Sequence, residues 1–306
     1  MRWRPGAGYL GTCSLDQTSS PARMNLFVIG FGYTARRFVD LHGRAFARVT
    51  GTVRSADKRA QLAPLEIDLF DGTVAAAATL AKAAEADIVL ISAPPGSGDD
   101  PALTAFGDAI TTGRARRVVY LSTVGVYGDH QGDWIDEDTP LAPEHDRVQA
   151  RVRVENEWRA RIGDRLAVLR LGGIYGPGRN ALVELRAGRA RRIVKPGQVF
   201  NRIHVDDIAS AISGAIDRER GGFWNIVDDA PAPPQDVIAY AARLMGIAPP
   251  PEVPFDSAEL SPMARSFYAS NRRIRNARAR QDLGLVLAYP TYREGLDALW
   301  AAGEGR

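Results

Sequence analysis

Two rhythms of apolar and polar positions alternate along this chain. Short apolar runs of strand length recur at Leu26–Gly30, Arg48–Val53, Leu65–Leu69, Asp87–Ser92, Arg117–Ser122 and Leu166–Leu171. Between them the spacing turns helical at Thr34–Leu41, through the alanine-rich stretch 75–84 and along the polar segment 147–162. Strands that are apolar throughout and alternate with helices predict a parallel sheet covered on both faces. The fold class is therefore α/β, a doubly wound parallel sheet, with ligands expected in the loops at the carboxyl ends of the strands.

Past Tyr175 the rhythm changes. Gly176-Pro177-Gly178-Arg179 reads as a loop, Arg192–Val194, Phe200–Val205 and Phe223–Val227 as strands, and Asp206–Ile216 as a helix. Prolines punctuate 231–234 and 249–254, and the spacing predicts an Arg-rich helix over 270–283 and a last one over 291–302. Residues 24–175 with 201–228 are expected to form the sheet domain, and 176–200 with 229–306 a smaller C-terminal substrate lobe. Residues 1–23, rich in Gly, Ser, Arg and Pro, read as a disordered tail or as the product of a start assigned upstream of Met24.

The first apolar run carries the strongest chemistry. It ends in Gly30-Phe31-Gly32-Tyr33-Thr34-Ala35 and passes straight into a helix. Strand, glycine turn and helix in that order suit a dinucleotide pyrophosphate. Gly30 permits the tight turn, and Gly32 has no side chain to hold the diphosphate off. The free N–H groups around Tyr33 and Thr34 face the anion, and small Ala35 lets the helix lie close to the strand. Thus the sheet is of Rossmann type. Just past the second strand, Thr52-Val53-Arg54-Ser55 offers a cation where a carboxylate would hold the ribose hydroxyls of NAD. Arg54 therefore points to NADP, with NAD the alternative, and Lys58 and Arg59 could add to the same pocket.

Composition narrows the setting. The 306 residues are 45% hydrophobic and 25% charged, with a net charge of +3, as for an ordinary globular protein. No apolar run approaches the roughly 20 residues of a membrane-spanning helix. Cys13 is the one cysteine, so no intrachain disulfide forms and a reducing, cytoplasmic setting is expected. His42, His130, His145 and His204 show no metal spacing, and no metal is expected. Arg272, Arg273, Arg275, Arg278 and Arg280 spread around their expected helix, so no nucleic-acid partner is expected either.

Four motifs in order carry a family likeness: the glycine turn; Leu121-Ser122-Thr123-Val124-Gly125-Val126-Tyr127-Gly128; Leu169-Arg170-Leu171-Gly172-Gly173-Ile174-Tyr175-Gly176-Pro177-Gly178; and Asn201-Arg202-Ile203-His204-Val205-Asp206-Asp207-Ile208-Ala209. Over about residues 24 to 300 the chain resembles the extended short-chain dehydrogenase/reductase superfamily, the epimerase and dehydratase group, and its atypical members most. The resemblance places Asp68 at the adenine edge and Ser92-Ala93-Pro94 beside the adenosine ribose. It implies an oxidoreductase or epimerase-like enzyme on a small polar or nucleotide-linked molecule, a monomer or homodimer that needs no membrane.

The resemblance also exposes a departure. Relatives carry a Tyr four residues before a Lys, and a Ser or Thr from the preceding strand. Thr123 takes the Ser/Thr place, and Glu155 matches the Glu that follows the Lys by four. Counting back puts Arg151 at the Lys position and Arg147 at the Tyr position. Arginine keeps its proton near neutrality and shuttles none. Arg151 is left to hold the nicotinamide ribose or a phosphate, and Arg147 to bind an anionic substrate or sit as a solvated charge. Tyr127 is the stand-in acid, or else a packed residue. Arg179 is a further anion contact, His204 a weaker substrate candidate, and Asp136-Glu137-Asp138 a solvated loop. The second expectation is a catalytically silent NADP-binding sensor or interaction protein.

Overall fold

The computed structural model describes residues 24–96, 100–218 and 221–306; the tail at 1–23, Cys13 included, lies outside them. The chain runs β1 (Asn25–Ile29), α1 (Tyr33–His42), β2 (Arg48–Val53), α2 (Ala56–Gln61), β3 (Glu66–Leu69), α3 (Ala77–Ala84), β4 (Ile88–Ile91), α4 (Pro101–Thr112) and β5 (Arg117–Thr123). After a short β6 (Trp134–Ile135) come α5 (Asp146–Ile162), β7 (Leu166–Leu171), β8 (Gly173–Tyr175) and α6 (Ala181–Arg186). Then follow β9 (Arg192–Val194), β10 (Arg202–His204), α7 (Val205–Asp217), β11 (Gly222–Ile226) and α8 (Pro234–Leu244). The chain closes with β12 (Glu252–Pro254), α9 (Pro262–Phe267), β13 (Arg273–Ile274), α10 (Ala277–Leu283) and α11 (Tyr292–Ala301).

Seven strands form one parallel sheet in the order β11-β7-β5-β4-β1-β2-β3. The strand order reverses between β1 and β4, which is where such sheets open a crevice. The strands are apolar because both faces are covered. One face packs Phe38 of α1 and Ile208 and Ile212 of α7, and the other packs Phe106 of α4 and Trp158 of α5. Each of these buried side chains is worth about 1.5–3 kcal/mol relative to exposure. Caps set the helix starts: Asp100 accepts from the Leu103 N–H at 2.8 Å before Pro101, and Thr291 with Glu294 closes a capping box at α11.

The smaller lobe is built from paired short strands, β8 with β10 and β9 with β12. Its own core joins Tyr175 and Leu182 to Tyr292, Leu296 and Leu299. The helix expected over 270–283 is a correction: Arg273–Ile274 is a strand on Trp134–Ile135, and only Ala277–Leu283 is helical. The cause is Asn201. Its Nδ2 donates to the Arg272 carbonyl at 3.0 Å and its Oδ1 accepts from the Ile274 N–H at 2.9 Å, taking up backbone groups a helix would have used. Among the described residues no helix is long and apolar enough to cross a membrane.

Candidate functional site

The glycine turn is held from both sides. Ser92 and Ala93 N–H groups both donate to the Ile29 carbonyl, at 2.9 and 3.0 Å, bringing Ser92-Ala93-Pro94 against the turn. Gly30 has φ +85°, and a Cβ there would stand 2.7 Å from the Ala93 nitrogen, so only glycine fits. Gly32 differs: nothing lies within 4 Å of where its Cβ would be. Packing leaves that space open, and it is the space a diphosphate needs. Helix α1 starts there with no side-chain cap and no acidic residue in its first turn, so its N–H groups remain for an anion. Ala35 is fully buried beneath it. These residues fit a dinucleotide.

Around the turn the expected cofactor residues divide. Thr34, Ser92 and Pro94 line a cavity of about 860 Å³ at the carboxyl ends of the strands. Arg54 is exposed just past β2 and makes no ion pair among the described residues. Asp68 is turned elsewhere: it accepts from Thr79 Oγ1 and Lys82 Nζ, both at 2.9 Å, and is absent from the cavity wall. The Asp68 carboxylate is thus paired with a cation supplied by α3. Tyr33 reaches across to donate its hydroxyl to the Pro177 carbonyl at 3.0 Å, under the Arg179 guanidinium 5.9 Å from its ring centre. Burial pushes its phenol up to about 12.

The cavity floor is the end of β5. Leu121, Ser122 and Thr123 line it, and Thr123 Oγ1 accepts from the Gly125 N–H at 3.1 Å. From α5, Arg151 and Arg147 both reach the cavity. Arg151 Nη1 donates to the Leu121 carbonyl at 2.6 Å, and the Arg147 guanidinium lies 5.6 Å from the centre of the Phe267 ring. Arg179 lines the same space. Under the floor Ser122 donates to Glu155, which pairs with Arg170 at 2.8 Å. Arg170 donates to the Tyr127 hydroxyl, and that hydroxyl donates to Asn225 Oδ1, both at 2.9 Å.

Burial corrects two expectations. Tyr127 is fully buried, its hydroxyl is spent on Arg170 and Asn225, and burial raises its pKa. It lies off the cavity wall and is no proton donor to a bound molecule. His204 is also buried, with Tyr289 and Tyr175 rings 3.9 and 5.1 Å from its own, and its Nδ1 accepts from the Asp206 N–H to cap α7. Burial lowers it to about 4, so it is a neutral cap and not a substrate contact. In the acidic loop Glu137 is buried too, accepting from the Asn225 N–H at 2.7 Å.

Sequence reading missed the rest of the wall. Glu144 and His145, just before α5, line the cavity, as do Arg202, Phe267, Tyr268 and Arg272. His145 was legible as the residue two before Arg147. Arg272 was hidden by the helix wrongly expected around it.

A family model for NAD(P)H binding matches residues 30–174. A conserved protein of unknown function from Silicibacter pomeroyi is 46% identical, with a TM-score of 0.82, covering 92% of this chain and 99% of that one. A protein from Methylobacillus flagellatus assigned as an NAD-dependent epimerase/dehydratase is 25% identical, with a TM-score of 0.70, covering 91% and 98%. The chain thus carries an NAD(P)H-binding domain in a fold that it shares with NAD-dependent epimerase/dehydratase structures. More distantly, the UDP-glucuronic acid 4-epimerase of Bacillus cereus shares the fold at 15% identity and a TM-score of 0.72, over 92% and 99% of the two chains. By sequence the chain is 31% identical over 205 residues, 62% of its length, to a 3-diazoavenalumate denitrifying reductase of a Streptomyces species. It is 31% identical over 175 residues, 54% of its length, to protein YeeZ of Escherichia coli. It spans 66% and 62% of those two relatives, just under two thirds of each.

Proposed function

We propose that this protein is an NADP(H)-dependent oxidoreductase acting on a small polar molecule held in the 860 Å³ cavity. The observation that carries this reading is continuity: Thr34 and Ser92 of the cofactor rim, Thr123 and Arg151 of the floor and Phe267 of the lobe line one space. NADPH, when bound, supplies a hydride. The N–H groups of α1 and the bare Gly32 receive its diphosphate, Arg54 its 2′-phosphate, and Arg151 the nicotinamide ribose. Exposed Arg54, which makes no ion pair among the described residues, supports NADP over NAD. Thr123 Oγ1 orients the reacting group. The proton comes from His145, which stands on the cavity wall with Arg147, or from water ordered beside it. One relative's being a reductase supports this direction of electron flow. The lone cysteine suits a cytoplasmic site of action, and a monomer or homodimer completes the reading.

One observation favours a second reading. Arginines stand at the Tyr and Lys positions, and Tyr127 is sealed in the core, which suits an NADP-binding sensor without turnover. Titration with NADPH, followed by nicotinamide absorbance against a panel of carbonyl compounds, separates the two. NADPH oxidation that falls in His145→Asn and in Thr123→Ala is expected. Tight NADPH binding with no turnover across the panel selects the sensor, and no binding of either nucleotide removes both.

A further inference from the structure

The wall facing the glycine turn is cationic and aromatic at once. Arg147, Arg179, Arg202 and Arg272 line it, and Glu144 is the only carboxylate on the whole cavity surface among the described residues. None of the four arginines belongs to an ion pair there, whereas Arg170 just below is paired at 2.8 Å. Two are instead positioned by carbonyl oxygens. Arg202 Nη1 donates to Phe200 and Ala232, at 3.0 and 2.9 Å, and Arg272 Nη1 to Gly128 at 2.5 Å. The Nε of Arg272 is buried with no partner at all. Carbonyl dipoles fix a guanidinium without neutralising it. Partly buried cations held that way are relieved when an anion arrives.

Aromatic rings stand among these charges. Tyr268 packs edge-on to Phe200 at 5.1 Å and 84°, and Phe267 is 53% exposed at the mouth with the Arg147 guanidinium over its ring. A large ring kept half in water beside a cavity is a surface waiting for an apolar partner. Guanidiniums alone would suit any anion, and rings alone any apolar molecule. We propose that the substrate is an aromatic carboxylic acid, its carboxylate drawn to the arginine wall and its ring laid against Phe267 and Tyr268. This rests on the cavity being the substrate site of the oxidoreductase reading.

Calorimetric titration of 3-phenylpropanoate and benzoate into the protein, with and without NADPH, tests it. Matched 3-phenylpropanamide and octanoate remove the charge and the ring in turn. At least one aromatic acid is expected to bind about tenfold or more tightly than either control, as for loss of a charge-assisted contact. Arg147→Met should weaken that acid about tenfold while NADPH affinity stays constant, which also shows that the variant is folded. Phe267→Ala, at an exposed ring, should weaken the aromatic acid and leave octanoate unchanged. Amide binding as tightly as acid, octanoate as tightly as the aromatic acids, or no binding of either aromatic acid overturns the proposal. So does UDP binding more tightly than both acids, since that selects a nucleotide-linked substrate. If acids bind as expected and NADPH does not, the oxidoreductase reading fails and the acid site stands.

Discussion

Two buried carboxylates near the cavity each stand close to an arginine, and they end in opposite states. Under the floor Glu155 meets Arg170 at 2.8 Å and also receives the Ser122 hydroxyl, so charge and lone pairs are satisfied together. Behind the wall residue Arg202, Asp228 is just as buried, and its own N–H donates to the Arg202 carbonyl at 2.7 Å, yet the two side chains form no ion pair. Asp228 accepts only from the Ala230 N–H at 3.2 Å, and its second oxygen has no partner. Burial therefore pushes its carboxyl up to about 8. The difference teaches what each region is for. A closed pair makes a rigid floor beneath Thr123, while a wall that leaves Arg202 without a counter-charge keeps that cation for something else.

The largest effect expected is on the floor. Glu155→Ala strands a buried Arg170, and urea unfolding should show a loss of about 3–5 kcal/mol. A loss below about 1 kcal/mol would mean that the two regions do not differ. Asp228 should respond in the other direction. An unfolded Asp titrates near ~4, so the folded protein holds a proton that the unfolded chain releases. Its contribution is fully present below pH 4 and is lost as pH rises toward 8. Asp228→Asn should raise stability at pH 8 by an amount on the order of a few kcal/mol and change little at pH 4. Thermal melts across that range read the slope directly.

The cofactor rim offers the next contrast. Gly30→Ala forces a Cβ against Ala93 at a positive φ and should cost about 1–3 kcal/mol of stability. Gly32→Ala adds a Cβ with no protein atom within 4 Å, so stability should hold within about 0.5 kcal/mol while NADPH binding weakens. Equal destabilisation by both would break the argument that only Gly32 was left open for a ligand. The smallest effect is one of selectivity. Arg54→Glu should weaken NADPH about tenfold or more and NADH little, read by nicotinamide fluorescence. A parallel loss of both nucleotides counts against NADP.

Much of the cofactor half was legible because its signals are local. The turn at 30–35, the apolar strands and the start of α5 need only neighbours in sequence, and they stand where periodicity placed them. The partner of Asp68 was not legible, because its cation, Lys82, comes from the next helix. Tyr127 was misread because β7 and β11 bring Arg170 and Asn225 to its hydroxyl, a contact spanning 98 residues to Asn225. The 270–283 segment carries a helical pattern of arginines, but Asn201 from a distant strand claims its backbone. Arg272 thereby moved from an expected solvated helix face into the cavity wall.

By itself the amino-acid order determined the parallel sheet and the glycine turn. Each follows from periodicity or spacing within a few residues, where backbone sterics and side-chain alternation act. Only the tertiary structure decided which charges are neutralised. Whether an arginine meets a carboxylate depends on elements tens of residues apart, and burial then makes the outcome all or none. Arg170 meets Glu155 and is structural. Among the described residues Arg147, Arg179, Arg202 and Arg272 form no ion pair, and their charge is left facing the cavity.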